Sequence, residues 1–204
     1  STYAKSMGSG LPIAAVVGKA DVMDAAAGGT IGGTYIGSPL SCVASSATIK
    51  YMKEINLNQK ALEIGSTIRR RLEALMSDCP QIGDVRGIGA MIAIEFVKDG
   101  DPRQPDADSC SAIVKGCSEN GLIMLSAGTH KNIIRILSPL VISPELLDKG
   151  LTILETEIKK TTSERLYLNY LNKPYEFFLN TNSFQLIRNI NDVIYFGVIS
   201  RLGY

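Results

Sequence analysis

The sequence predicts an α/β protein built around an α+β domain with a small, largely antiparallel sheet. Three observations predict it. Hydrophobic residues make up 45% of the 204 and charged residues 20%, enough apolar side chain to fill a core. Helix, strand, helix, strand, strand and helix patterns succeed one another over about a hundred residues. A composition break at residue 160 then closes the domain, because nine of the 13 aromatic residues lie after it and 17 of the 19 glycines before it.

The elements follow in order. Residues 1–40 are rich in Gly, Ala and Ser. Leu11–Gly18 reads as a short buried strand approached through a Pro12 turn, Asp21–Asp24 as one helical turn, and Gly28–Pro39 as irregular. From Leu40 to about Met76 apolar residues recur at helical spacing in two runs. The first holds Ala44, Ala47, Ile49, Tyr51 and Met52, and the break falls near Asn56–Asn58. The second holds Ala61, Ile64, Ile68, Leu72 and Leu75, with Arg69, Arg70 and Arg71 largely off that face. Asp78-Cys79-Pro80 stops it. Gly83–Ala90 is a glycine-punctuated lead into a strand, Met91–Val97, and Gly100–Asp108 is a polar loop with two prolines. Ser109–Asn120 fits a short helix closed by Gly121. Leu122–Leu125 and Ile133–Leu137 are strand candidates on either side of a Gly/His/Asn turn. Pro144 opens a helix to about Lys160, capped by Ser143. There is no internal repeat.

Charge and cysteine usage exclude several classes. Lys plus Arg is 21 against 20 for Asp plus Glu, so nothing marks a nucleic-acid partner or a polybasic membrane binder. The four cysteines form no CxxC pair, and one His leaves no Cys/His metal spacing, so free thiols in a reducing, cytoplasmic compartment are expected. No basic region followed by an apolar run marks a signal peptide, and no stretch approaches the ~18 apolar residues of a membrane helix. The chain begins with Ser rather than Met, which suggests a piece of a longer protein.

Three positions could carry chemistry. Lys5, in Ala4-Lys5-Ser6 on a turn leading into the expected buried strand, would lose hydration, and desolvation lowers the pKa of an amine toward that of an imine-forming lysine. The same pattern also describes a surface lysine on a Gly-rich loop. Gly32–Pro39 is a Gly-rich loop opening a helix, where backbone N–H groups, the helix N-terminus and the Thr34 hydroxyl suit an anion. It is neither GxGxxG nor a Walker loop, and a plain tight loop is the alternative. Arg135 stands in the apolar run Ile133–Leu137 on the face opposite Ile134 and Ile136, and wants either a carboxylate or phosphate partner or open solvent. His130, in the preceding turn, reads as a solvated loop residue.

Ala4-Lys5-Ser6, Gly10-Leu11-Pro12-Ile13-Ala14, Gly32-Gly33-Thr34-Tyr35 with Gly37 and Pro39, Gly83–Met91, and Arg135-Ile136-Leu137 with Pro139-Leu140 occur in this order. Together they resemble the class III, pyridoxal-phosphate-dependent aminotransferases, nearest to those acting on 4-aminobutyrate and 5-aminovalerate. The resemblance runs from about residue 3 to residue 160. It implies the C-terminal part of the fold-type I transferase fold: residues 1–50 as the end of the large cofactor domain, 51–160 as the small α+β domain, and 161–204 as an unrelated tail. It further implies that Lys5 carries pyridoxal phosphate covalently and moves the substrate proton. Thr34 would contact the phosphate of the partner subunit's cofactor in a homodimer or higher homo-oligomer, and Arg135 would clamp a substrate carboxylate. Ser38 stands where many relatives have Asn, which weakens that loop contact. The implied activity moves an amino group from an ω-amino acid to 2-oxoglutarate. The residues expected to hold the pyridine nitrogen, the ring face and most of the phosphate are absent here, so the chain alone is expected to be inactive. The alternative is a non-catalytic relic or interaction domain. Residues 161–204 hold six Asn and apolar runs at Val193–Phe196 and Val198–Ile199, an aggregation risk.

Overall fold

The computed structural model describes residues 1–30 and 32–174. The aromatic positions from Tyr175 to Tyr204 and the two apolar runs among them lie outside the described residues. The chain forms two compact units, residues 1–59 and residues from 60 onward.

In the first unit, β1 (Thr2–Tyr3) pairs antiparallel with β2 (Ala15–Val16). The terminal ammonium of Ser1 donates to Val17 O at 2.7 Å, extending the clasp. A single 3-10 turn, Lys5–Gly8, lies between the strands. The expected helical turn is α1 (Ala20–Met23), and the Gly-rich loop is irregular as expected. α2 runs Pro39–Glu54 with Pro39 in its first turn, where the missing N–H removes no helical bond. It stops at Ile55, and Asn56 takes φ 49, the left-handed conformation that ends a helix.

The buried strand expected over Leu11–Gly18 does not form. Only Ala15–Val16 pair, and Val16 and Val17 are 61% and 58% exposed. The reason is local: among the described residues of this unit only Gly8, Ser41 and Ser45 are buried, so no apolar layer exists for a strand to cover.

The second unit has the expected antiparallel sheet, in order β3–β4–β7–β6 with β5 returning along the end of β4. The strands are β3 (Ile82–Ile88), β4 (Met91–Lys98), β5 (Asp101–Pro105), β6 (Ser126–Ala127) and β7 (Ile133–Leu137). Alternation turns Ile92, Ile94 and Phe96 of β4 and Ile134 and Ile136 of β7 to one face. Three helices, α3 (Leu57–Leu75), α4 (Ala107–Glu119) and α5 (Pro144–Leu171), cover that face. They contribute Ile68, Leu72 and Leu75, Cys110, Ile113 and Cys117, and Leu151, Leu154 and Ile158 to a single core.

Four expectations are corrected here. Residues 82–88 are a full strand rather than a lead-in: Gly87, at φ 151, lets Met91 O pass 2.0 Å from where a Cβ would stand, so the glycine permits the pairing that it seemed to punctuate. Residues 101–105 form an edge strand despite Pro102 and Pro105, because an edge needs no N–H on its outer side. Leu122–Leu125 is not a strand. α4 ends in a Schellman turn, with Leu122 N bonded to Cys117 O at 2.8 Å and Gly121 at φ 83, and pairing with β7 is confined to Ser126↔Ile134 and Ala127↔Ile133. Finally, α5 passes Lys160 and reaches Leu171. Thr162 and Ser163 are buried, Gln81 Nε2 donates to Thr162 Oγ1, and Arg165 pairs with Asp106 and, at 3.5 Å, with Asp99.

Candidate functional site

Lys5 opens the 3-10 turn with φ 58. A lysine in the left-handed region is strained, and such strain persists only where the surroundings hold it. They do so from both sides. A Cβ on Gly8 would stand 2.7 Å from Ile13 Cγ2, and Ser9 Oγ shares a 2.7 Å hydrogen bond with Thr48 Oγ1 of α2. The backbone is therefore pinned, while the side chain is exposed and bonds to none of the described residues. The expected desolvation of Lys5 is not observed, because its unit buries no apolar side chain.

Thr34 lies in an open double turn. Ile36 N donates to Gly33 O at 3.1 Å, Ser38 N to Tyr35 O at 3.3 Å, and Gly37 takes φ 72 before Pro39 begins α2. Thr34 is exposed, with no hydrogen bond from its hydroxyl to the described residues, and Ser38 makes no side-chain cap. Lys5 and Thr34 belong to the first unit and Arg135 to the second.

Arg135 sits mid-strand in β7, opposite Ala93 of β4, and is exposed as the alternation requires. Its electrostatic isolation sets it apart. Arg71 reaches Glu155 and Asp148 at 2.5 Å each, Arg86 holds Glu95 at 2.6 Å and Asp84 at 2.7 Å, and Arg69, Arg103 and Arg165 also have carboxylate partners. Those carboxylates push the Arg71 and Arg86 guanidinium pKa values above the ordinary range. Arg135 has no such partner among the described residues, and it lines a cavity of about 410 Å³. Arg70 is equally unpaired but does not line that cavity.

The cavity lies against β7, the 122–127 segment and α5. Sequence reasoning missed it, because it opens where the expected 122–125 strand fails to pair. It also missed the Ser138 hydroxyl, which is buried without a partner three residues beyond Arg135. His130 is exposed in its turn, as expected. Cys79, Cys110 and Cys117 are buried free thiols and Cys42 is exposed. Among the described residues no His/Cys/Asp/Glu group is placed to hold a metal, and no helix is long and apolar enough to cross a membrane.

A pinned and strained lysine, an open Gly-rich loop and an unpaired arginine in mid-strand follow one another in a stretch of sequence that has a known counterpart. Residues 1–158 match the family model described as aminotransferase class-III. The chain belongs to the class III aminotransferases. Members of the family use pyridoxal phosphate. The chain is 48% identical over 158 residues to a probable 4-aminobutyrate aminotransferase of Bacillus subtilis, covering 78% of this chain and 36% of that one. It is 46% identical over 154 residues to a 5-aminovalerate aminotransferase of Pseudomonas aeruginosa, covering 76% and 36%. Among solved structures, a phospholyase from Arthrobacter in complex with phosphoethanolamine superposes with a TM-score of 0.70 at 31% identity, over 77% of this chain and 37% of that one. The chain therefore spans a little over a third of the length of the curated relatives it matches.

Proposed function

We propose that the chain is the part of an ω-amino-acid aminotransferase that supplies the cofactor lysine and the substrate-carboxylate clamp. The amino group would move from 4-aminobutyrate or 5-aminovalerate to 2-oxoglutarate. Arg135 is the observation that carries this reading: a guanidinium held mid-strand, without an internal partner, beside a cavity. Both donors and acceptor in such a reaction bear a carboxylate, and a guanidinium fork binds one through two parallel N–H bonds.

The donor set fits pyridoxal phosphate. Lys5 offers a primary amine on a pinned turn, and Thr34 offers a free O–H beside the N-terminus of a 16-residue helix. When bound, that group supplies the aldehyde that accepts an amine and the conjugated ring that stabilises charge at the substrate carbon. Lys5 Nζ would hold the group, and as a free amine would hold and return the proton at the substrate carbon. Thr34 Oγ1 would donate to a phosphate oxygen of the group held by a partner subunit. Arg135 would bind the carboxylate end of the substrate.

The test is covalent. The full chain is incubated with pyridoxal phosphate, reduced with borohydride and digested. A reduced adduct on the Lys5 peptide supports the reading, and adducts confined to other lysines overturn it.

A second reading has its own observation. Residues 1–59 bury no apolar side chain among those described, and such a unit has little to hold a cofactor against water. On this reading the isolated chain keeps the small-domain fold and does not turn over 4-aminobutyrate with 2-oxoglutarate. Turnover by the purified chain would exclude it.

A further inference from the structure

We infer that Arg86 is a positioning residue: by holding the Glu95 carboxylate toward β3, it keeps Arg135 free of an internal ion pair. This rests on Arg135 being the carboxylate clamp proposed above, and it names the groups that keep the clamp open.

Strand register supplies the geometry. On the outer face of the sheet, Arg86 of β3, Ala93 of β4 and Arg135 of β7 stand in one row, and Asp84, Glu95 and Ile133 stand in the next. Glu95 is therefore diagonal to an arginine on each side. Diagonal neighbours across a sheet lie about 7–8 Å apart, within reach of long side chains, so the two arginines compete for one carboxylate. Arg86 takes it. Its Nη1 donates to Glu95 Oε2 at 2.6 Å and to Asp84 Oδ2 at 2.7 Å, so both carboxylates of these rows are engaged by one guanidinium. The other oxygen of Glu95, Oε1, accepts from Asn132 Nδ2 at 3.3 Å. Asn132 is 2% exposed, is fixed by a bond from Nδ2 to Phe96 O at 2.9 Å, and directly precedes β7. Glu95 is thus tethered toward β7 as well, and stays within reach of Arg135 if Arg86 is removed. Ala93, between the arginines, is too short to bar the way. The Arg86 side chain is 47% exposed and that of Glu95 28%, so the pair sets an occupancy rather than a lock. An arginine already paired has to release its carboxylate before it takes a substrate's, which weakens the clamp by the fraction paired.

Arginine-selective modification with phenylglyoxal, read residue by residue through peptide mass spectrometry of the full chain, tests the inference. In the parent chain Arg135 reacts faster than Arg86. Arg86→Ala slows Arg135 about threefold, the occupancy expected of a partly exposed pair, and adding Glu95→Gln to that variant restores the parent rate. Glu95→Gln alone leaves the Arg135 rate unchanged, and so does Arg86→Lys, which keeps a cation for Glu95. Arg70, exposed on α3, reports any general change in reactivity, and circular dichroism reports folding. An Arg135 rate indifferent to Arg86→Ala, or slowed as much in the double variant as in the single, overturns the inference. So does a parent chain in which Arg86 reacts as fast as Arg135, a comparison that needs no variant. The two proposals fail separately. Glu95-dependent shielding without an adduct on Lys5 keeps this inference and removes the aminotransferase reading. An adduct on Lys5 with no such shielding does the reverse.

Discussion

Replacing Arg165 by alanine removes one partner of a buried ion pair and leaves the other in place. Asp106 is 2% exposed, and its carboxylate accepts from Ser109 N at 3.2 Å, from Ser109 Oγ at 2.8 Å and from the Arg165 guanidinium. Stripping the partner from a fully dry buried charge costs about 3–5 kcal/mol. Two features lower that figure here. Both Ser109 donors remain, and the Arg165 side chain is 27% exposed, so its removal admits water to the carboxylate. The expected loss is about 2 kcal/mol. With a urea m-value of about 2 kcal/mol/M, the unfolding midpoint falls by about 1 M at unchanged slope. Far-ultraviolet circular dichroism is the suitable probe, since the chain has no Trp. Arg103→Ala is the control: its side chain is 89% exposed, and its loss leaves the midpoint where it was. An Arg165→Ala midpoint within about 0.2 M of the parent chain would refute the reasoning.

Two further outcomes are expected. Gly65→Ala places a methyl 1.8 Å from Gly89 O, backbone that cannot move aside, and lowers stability by about 3 kcal/mol or more in a thermal melt; an unchanged melting temperature would mean that α3 sits further from the β3–β4 turn. With a thiol reagent at neutral pH, Cys42 reacts in the native chain and Cys79, Cys110 and Cys117 only after unfolding. Burial, aided by nearby Asp106 and Glu157, pushes Cys110 up to about 11 and Cys117 up to about 12. A raised folded pKa favours the native state below the unfolded thiol value, so this contribution is intact below about pH 8.5. It disappears as pH climbs through 11 to 12, and stability measured against pH in those variants with Ala at both positions shows no such fall.

The legible parts of the fold were those decided within one turn or one strand. The break at Asn56, the Schellman end of α4 at Gly121 and the five residues of β7 each follow from residue type and spacing, and each forms as read. The illegible parts depended on neighbours. Leu11–Gly18 has the composition of a core strand, but composition does not provide a layer to cover. Leu122–Leu125 alternates correctly, with Leu122 and Met124 packed inward and Ile123 and Leu125 outward, yet alternation does not supply a ladder. The same distinction holds at the candidate site. Period-two alternation placed Arg135 on the outer face, while its lack of an ion-pair partner emerged only once every nearby carboxylate had been located. The hydration of Lys5 depended on surfaces that its own sequence does not encode.

The family model ends at residue 158 and α5 ends at Leu171. Thirteen residues of helix, about 20 Å of rigid rod at 1.5 Å per residue, therefore continue past the last matched position. Their inner side is fastened to the sheet domain through Thr162 and Arg165. The end of the family match and the end of the helix thus fall at different places in this chain. For anyone splicing domains, the matched end is a poor place to cut: a fusion joined there would discard two fasteners, whereas one joined after Leu171 would inherit a stiff, ready-made spacer.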